Sequence, residues 1–269
     1  MYSSWGNYPR QSATVVQPTT ETAVLAALRE ARSVLPYGNG RSQGDSCLNE
    51  AGLLLDMRRL NHVVAFDQAA GVIRCEAGIT LAELLTILVP RGWFFPVTPG
   101  TKYVTVGGAI ANDVHGKNHE TAATFGNHVR RFSLVRSTGE SVVCSPEENT
   151  ELWRATIGGL GLTGVITWAE VQLRRLPSQW ITEKVIPLRN LEDFFVADTT
   201  GFEYSVAWVD CLAQGQKLGQ GHLLVGNHTS AGAAVSAPDA DLLHPRLTVP
   251  IMAPNWLINH ASVKIFNGR

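Results

Sequence analysis

The chain has 269 residues, 22 Lys and Arg against 23 Asp and Glu, a net charge of -1 and 45% hydrophobic residues. That length buries a full core and allows one large domain or two modest ones. The apolar content excludes wholesale disorder, the charge balance argues against a general nucleic-acid binder, and no run approaches the roughly 18 apolar residues of a membrane span.

A helix is predicted over 21–32, with Thr20 as its N-cap and Val24, Leu25, Leu28 and Ala31 at helical spacing. A short strand at 34–37 runs into a glycine-rich turn at 38–45, and an apolar strand follows at 52–57. Segments 63–66 and 72–77 read as a hairpin around a turn at 67–71. Thr80 and Glu83 form a capping box for a second helix whose Leu81, Leu84, Leu85 and Leu88 make one apolar face. A buried strand is expected at 93–97. Strands at 132–136 and 141–144 bracket the turn Thr138-Gly139, a short helix occupies 151–155, and a long alternating strand covers 165–176. Pro177 is a plausible boundary. Beyond it, strands at 180–187 and 203–209 flank a short helix at 191–196, and 213–262 reads as loop-rich and polar. Strands and helices mixed without strict βαβ alternation favour an α+β fold. The opening residues lack the basic-then-apolar order of a signal peptide. Cys47, Cys75, Cys144 and Cys211 are scattered without a CxxC pair, which fits a reducing compartment rather than a disulfide framework or zinc site.

Glycines cluster at Gly38/Gly40/Gly44, Gly100/Gly107/Gly108/Gly116 and Gly158/Gly159/Gly161/Gly164. Each cluster reads equally as a tight turn or as a loop whose exposed N–H groups cradle an anion. None fits a Rossmann or Walker pattern. His115 and His119 have the spacing of a metal pair, but Gly116 between them and the loop-like context disfavour ligation. The polar cluster Asn112, Asp113, His115, Lys117, Asn118 and His119 follows an apolar run at 104–111 and reads as a loop emerging into a site, with Lys117 placed to stabilise negative charge. The chain has no Gly-x-Ser-x-Gly elbow and no close carboxylate pair within a glycine-rich loop, so a cofactor is the expected carrier of any reaction.

Taken together, the motifs resemble a known family. Pro36-Tyr37-Gly38-Asn39-Gly40-Arg41-Ser42-Gln43-Gly44-Asp45 looks like the first pyrophosphate loop of the vanillyl-alcohol-oxidase (PCMH-type) FAD-binding flavoproteins. Pro99-Gly100-Thr101 with 104–111 looks like their second loop. Within that family, His115-Gly116-Lys117-Asn118-His119, Phe125-Gly126-Asn127-His128-Val129 and the opening Trp5-Gly6-Asn7-Tyr8-Pro9-Arg10 resemble the polyprenylphosphoryl-ribose 2'-oxidases, over 5–176 and more thinly to about 210.

The resemblance implies a PCMH-type FAD-binding domain of two α/β subdomains over 1–176, and the beginning of an α+β substrate domain over 177–269. The chain would be truncated relative to the family. The resemblance also implies that Tyr37, Gly38, Asn39, Gly40, Arg41, Ser42, Gln43, Gly44 and Asp45 wrap the FAD pyrophosphate. Gly100, Thr101, Thr105, Val106, Gly107, Gly108, Asn112 and Asp113 would continue that wall. Gly164 and Ile166 would meet the adenosine part, His115 and Lys117 would sit by the isoalloxazine and sugar as catalytic groups, and Lys117 and Trp208 would bind substrate. Arg41 stands where covalently flavinylated relatives carry a histidine, so the FAD would be non-covalent. Gln43 stands where an aromatic is expected in the ribose oxidases.

The implied reaction passes a hydride from the sugar C2 to flavin N5, on a lipid-linked ribose phosphate. A short-chain dehydrogenase partner would then reduce the product on the way to the arabinose epimer, an arabinan precursor for the cell wall. No metal and no nucleic acid is implied, and the expected location is cytoplasmic or peripheral at the inner membrane. The alternatives are a sugar-alcohol or aldonolactone oxidase of the same fold, and an inactive flavin-binding fragment.

Overall fold

A computed structural model of the chain describes residues 2–9, 12–50, 52–230 and 254–267. The chain divides into two compact units, Met1–Leu176 and Pro177–Arg269.

In the first unit, β1 (Thr14–Val16) leads to α1 (Glu21–Glu30), whose Thr20 side chain accepts a hydrogen bond from the Ala23 amide. The helix closes on Ala31, slightly earlier than the sequence suggests. β2 (Val34–Tyr37) and β3 (Leu53–Asp56) complete a three-stranded parallel sheet in the order β1-β3-β2. All four residues of β3 are buried, because a central parallel strand is covered on both faces, and its first three, Leu53 to Leu55, read as an unbroken apolar run.

β4 (Val63–Asp67) and β5 (Val72–Glu76) form the expected hairpin. The capping box at Thr80 and Glu83 opens α2 (Leu81–Leu88), with each group bonding the other's backbone amide. The expected strand at 93–97 is only β6 (Trp93–Phe94). The apolar run at 104–111 contains a helix, α3 (Val106–Ala111), and α4 (His119–Ala122) follows. β7 (Val129–Val135), β8 (Ser141–Cys144), α5 (Thr150–Thr156) and β9 (Val165–Gln172) come next. The long strand expected at 165–176 breaks after Gln172, and its end forms β10 (Arg174–Arg175), which pairs with β6.

The five-stranded antiparallel sheet has the order β4-β5-β9-β7-β8. Its core packs Leu81, Leu84 and Leu88 of α2 against Ile73, Phe132 and Val171. Helix α1 joins the two sheets: Val24 and Ala27 share a cluster with Leu53 and Leu55 of β3 and with Val135 and Val165 of the larger sheet. The Glu21 carboxylate pins the start of α1 to that sheet, accepting from Ser141 Oγ at 2.7 Å and Thr167 Oγ1 at 2.6 Å. Two α/β layers joined in this way match the expected α+β architecture.

In the second unit, β11 (Ile181–Leu188), α6 (Leu191–Val196) and β12 (Tyr204–Val209) lie where the sequence places them. The stretch at 213–262 is not all loop. It contains β13 (Gly221–His228), the central strand of an antiparallel sheet ordered β11-β13-β12, and the start of α7 (His260–Asn267). Arg10 of the opening motif and residues 231–253 of the polar stretch lie outside the described residues. Among the described residues, no helix is long and apolar enough to cross a membrane.

Candidate functional site

Three of the glycine-rich segments meet around one cavity of about 250 Å³ in the first unit. Its wall is formed by the loop leaving β2, by the first turn and end of α3, and by the segment between α5 and β9. The loops are tied to one another. Asn39 Nδ2 donates to the Tyr103 carbonyl at 2.8 Å, the Leu160 amide donates to Ala111 O at 2.8 Å, and the Thr156 and Thr163 hydroxyls bond at 2.9 Å.

Two glycines are demanded by this packing. A Cβ at Gly38 would collide with Thr105 Oγ1, the atom that caps α3 by accepting from the Gly108 amide at 3.1 Å. Gly40 has φ +60, and a Cβ there would meet the Tyr37 hydroxyl and the Ser3 carbonyl. Only glycine takes that backbone region without strain.

The amides around the cavity divide into two groups. Those at the start of α3 are committed: Val106 N donates to Ile79 O at 2.9 Å, Gly107 N to Ala77 O at 2.8 Å and Gly108 N to Thr105 Oγ1. Those of residues 39–43 donate to no protein group among the described residues. An amide on a cavity wall without a protein acceptor is available to a ligand. Among the described residues, the only charged side chain on the wall is Arg41, and no carboxylate lines it. An elongated anionic group such as a pyrophosphate fits such a wall: open backbone donors, one guanidinium and no opposing charge.

Of the residues singled out from the sequence, Tyr37, Gly38, Asn39, Gly40, Arg41, Ser42, Gln43, Thr105, Gly107, Gly108, Asn112, Gly164 and Ile166 line the cavity. Gly44, Asp45, Gly100 and Thr101 do not. Val106 points into the core and is fully buried. Asp113 serves the fold instead. At φ +42 its carboxylate accepts from the Gly126 amide at 2.9 Å. His115 and Lys117 are exposed on the loop after α3, off the cavity wall. His115 bridges to Thr124 and its ring stands edge-on to His119 at 5.6 Å. Among the described residues no group of His, Cys, Asp or Glu could hold a metal ion. Trp208 stands on β12 of the second unit.

The wall also includes residues the sequence did not flag, among them Ser46, Cys47, Met57, Ala77 and Leu160. Of these, Ser46 and Cys47, next to the first loop, and Leu160, inside the third glycine cluster, carried a signal. Burial pushes the Cys47 thiol up from its ordinary value, and burial, followed by the nearby Cys47, does the same for the Tyr37 phenol. Beneath the loop, Asp56 is fully buried. Burial alone would raise its pKa, but hydrogen bonds from Arg58, Gln17 and Tyr2 outweigh that and hold it at about 2.

Residues 12–145 match the FAD binding domain family. The decaprenylphosphoryl-beta-D-ribose oxidase of Mycolicibacterium smegmatis is 34% identical over 95% of this chain and 58% of its own length. The D-arabinono-1,4-lactone oxidase of Eremothecium gossypii is 26% identical over 77% of this chain and 40% of its own. Cytokinin dehydrogenase 10 of Oryza sativa is 29% identical over 71% of this chain and 38% of its own. The chain thus spans little more than half the length of these relatives, or less. The matched segment contains both the first glycine loop and the start of α3, and residues 12–145 belong to the family of PCMH-type FAD binding domains.

Proposed function

We propose that the chain is the FAD-binding part of an oxidase that removes hydrogen from the C2 hydroxyl of a polyprenylphosphoryl-ribose. The observation that carries the cofactor assignment is the cavity wall, with the amides of 39–43 open and Arg41 its only charged side chain among the described residues. The substrate assignment is supported by the 34% identity over 95% of the chain to the ribose oxidase, and by the His115-Gly116-Lys117-Asn118-His119 segment.

When bound, non-covalently, FAD supplies a two-electron acceptor for the C2 hydride. The loop at 39–43 would hold the cofactor's phosphates through its amides. Lys117 binds the phosphate or sugar oxygens of the substrate through its ammonium donors. An imidazole nitrogen of His115 orients the substrate or takes the proton of the C2 hydroxyl. Both side chains are exposed on the loop after α3, where a substrate can reach them. The keto product would pass to a separate short-chain dehydrogenase, and a lipid-linked substrate is compatible with peripheral contact at the inner membrane.

The test is to purify the chain with added FAD and record flavin absorbance at about 450 nm after gel filtration. Retention of the flavin band supports the cofactor assignment, and a colourless protein overturns it. A second reading, an aldonolactone oxidase, is favoured by the similarity to the D-arabinono-1,4-lactone oxidase. Faster oxidation of that lactone than of polyprenylphosphoryl-ribose, in a protein carrying the whole relative's length, would establish it instead.

A further inference from the structure

A loop that offers its amides to a ligand cannot use them to hold its own shape. The amides of 39–43 bond to no protein group among the described residues, so something else must fix this loop. Within it, Asn39 reaches across to Tyr103. The rest of the support comes from a segment far away in sequence, residues 2–6.

That segment runs along the loop and touches it repeatedly. The Tyr37 hydroxyl donates to the Ser3 carbonyl at 2.8 Å, and the Trp5 amide donates to the Ser42 carbonyl at 2.9 Å. The guanidinium of Arg41 lies 5.4 Å from the Trp5 ring centroid and 6.0 Å from that of Tyr103. The segment is itself anchored to the end of β3. Tyr2 packs edge-on against Tyr37 with centroids 4.9 Å apart, and its hydroxyl donates to buried Asp56 at 2.7 Å. Arg58 bonds the same carboxylate at 2.7 and 2.8 Å and lies over both tyrosine rings.

We propose that residues 2–6 form a strap that preorganises the FAD-binding loop, with Trp5 as the positioning residue that fixes Arg41 on the cavity wall. This rests on the FAD assignment made above. The strap holds one loop carbonyl, the Tyr37 hydroxyl and the Arg41 guanidinium, and leaves the amides of 39–43 free among the described residues. It therefore lowers the ordering cost of binding without competing for the donors the ligand needs. A loop without it would sample many conformations, and a ligand would have to bear the loss of that freedom.

The test uses the full chain, Trp5→Ala and Trp5→Tyr, each without and with FAD. Trypsin cleavage after Arg41, followed by mass spectrometry, reads the loop directly and needs no cofactor. Fluorescence titration reads FAD affinity. Trp5→Ala is expected to accelerate cleavage after Arg41 and to weaken FAD binding roughly five-fold, the scale of one partly exposed cation–π contact. Trp5→Tyr, which keeps an aromatic face, should restore both, a rescue that a general loss of folding would not show. Equal cleavage rates in the unaltered chain and Trp5→Ala overturn the strap, whatever FAD does. An unaltered chain that binds no FAD, yet whose Arg41 site opens on Trp5→Ala, overturns the cofactor assignment and leaves the strap standing.

Discussion

Replacing Gly38 by alanine puts one methyl group against Thr105 Oγ1, with Thr105 Cγ2 only 3.4 Å away. Gly38 has no positive φ, so its backbone accepts alanine and the whole penalty falls on this contact. Thr105 is 2% exposed, and its hydroxyl is held in place by the Gly108 amide. It must leave its rotamer and release the Gly108 amide it caps at 3.1 Å. Losing a threonine cap costs about 1 kcal/mol. Forcing a methyl into packed space costs a further 1–3 kcal/mol, roughly. Gly38→Ala should therefore destabilise the first unit by about 2–4 kcal/mol. Thr105→Ala alone loses only the cap, about 1 kcal/mol. In the double variant the colliding oxygen is gone, so its cost should return to about that of Thr105→Ala, a coupling of roughly 2–4 kcal/mol between adjacent sites. Denaturant unfolding of the four proteins, followed by tryptophan fluorescence, measures this. FAD titration should follow the same order, because both residues belong to the cavity wall. Additive costs in the double variant would refute the claim that the steric clash, and not the turn itself, requires glycine at 38.

Asp56 carries a pH dependence. Its folded pKa of about 2 lies below the ordinary 3.8, so its contribution is complete above about pH 4 and is lost as the pH falls toward 2, roughly 2 kcal/mol in all. Asp56→Asn should remove that acid-side slope from the first unit's unfolding curve, and an unchanged slope would contradict the assignment. Cys47 lines the cavity and has a raised pKa, whereas Cys211 is exposed. Iodoacetamide should therefore modify Cys211 first, and FAD should slow the modification of Cys47 about ten-fold while leaving Cys211 unaffected; equal protection of both thiols, or of neither, would separate Cys47 from the cofactor site. In a protein carrying the whole relative's length, Lys117→Ala should lower turnover by about 100-fold through lost charge stabilisation, and undiminished turnover would remove Lys117 from the mechanism.

Local chemistry made much of the fold legible in the sequence. Thr20 and the Thr80/Glu83 pair announce α1 and α2 because capping is decided within a single turn of chain. The unbroken apolar run at 53–55 marks β3 as a buried strand, and the spacing of 181–209 yields β11, α6 and β12. Other elements carry no such local signal. β1 has only three residues, two of them exposed. β13 includes Gly221, Gly226, Asn227 and two histidines, a poor strand composition. It is held by pairing on both sides, and Gly226 is required because a Cβ would meet Ile181 Cγ2 and the Thr182 carbonyl, each at 2.9 Å.

The site divides in the same way. By themselves the glycine loops read as turns or as anion cradles, because a backbone made of glycine and small polar residues can approach a ligand closely, and the flavin was what their resemblance to the PCMH-type FAD-binding family implied. Only the tertiary structure decided which donors are open. Val106, Gly107 and Gly108 look like anion-binding groups in sequence, yet their amides are taken by Ile79, Ala77 and Thr105, the first two of them remote in the chain. The amides of 39–43 remain free because Ser3, Trp5 and Tyr103, also remote, hold their loop by other atoms. Which hydrogen bonds a backbone group makes depends on what folding brings beside it, and that is a property of the assembled chain rather than of any segment of it.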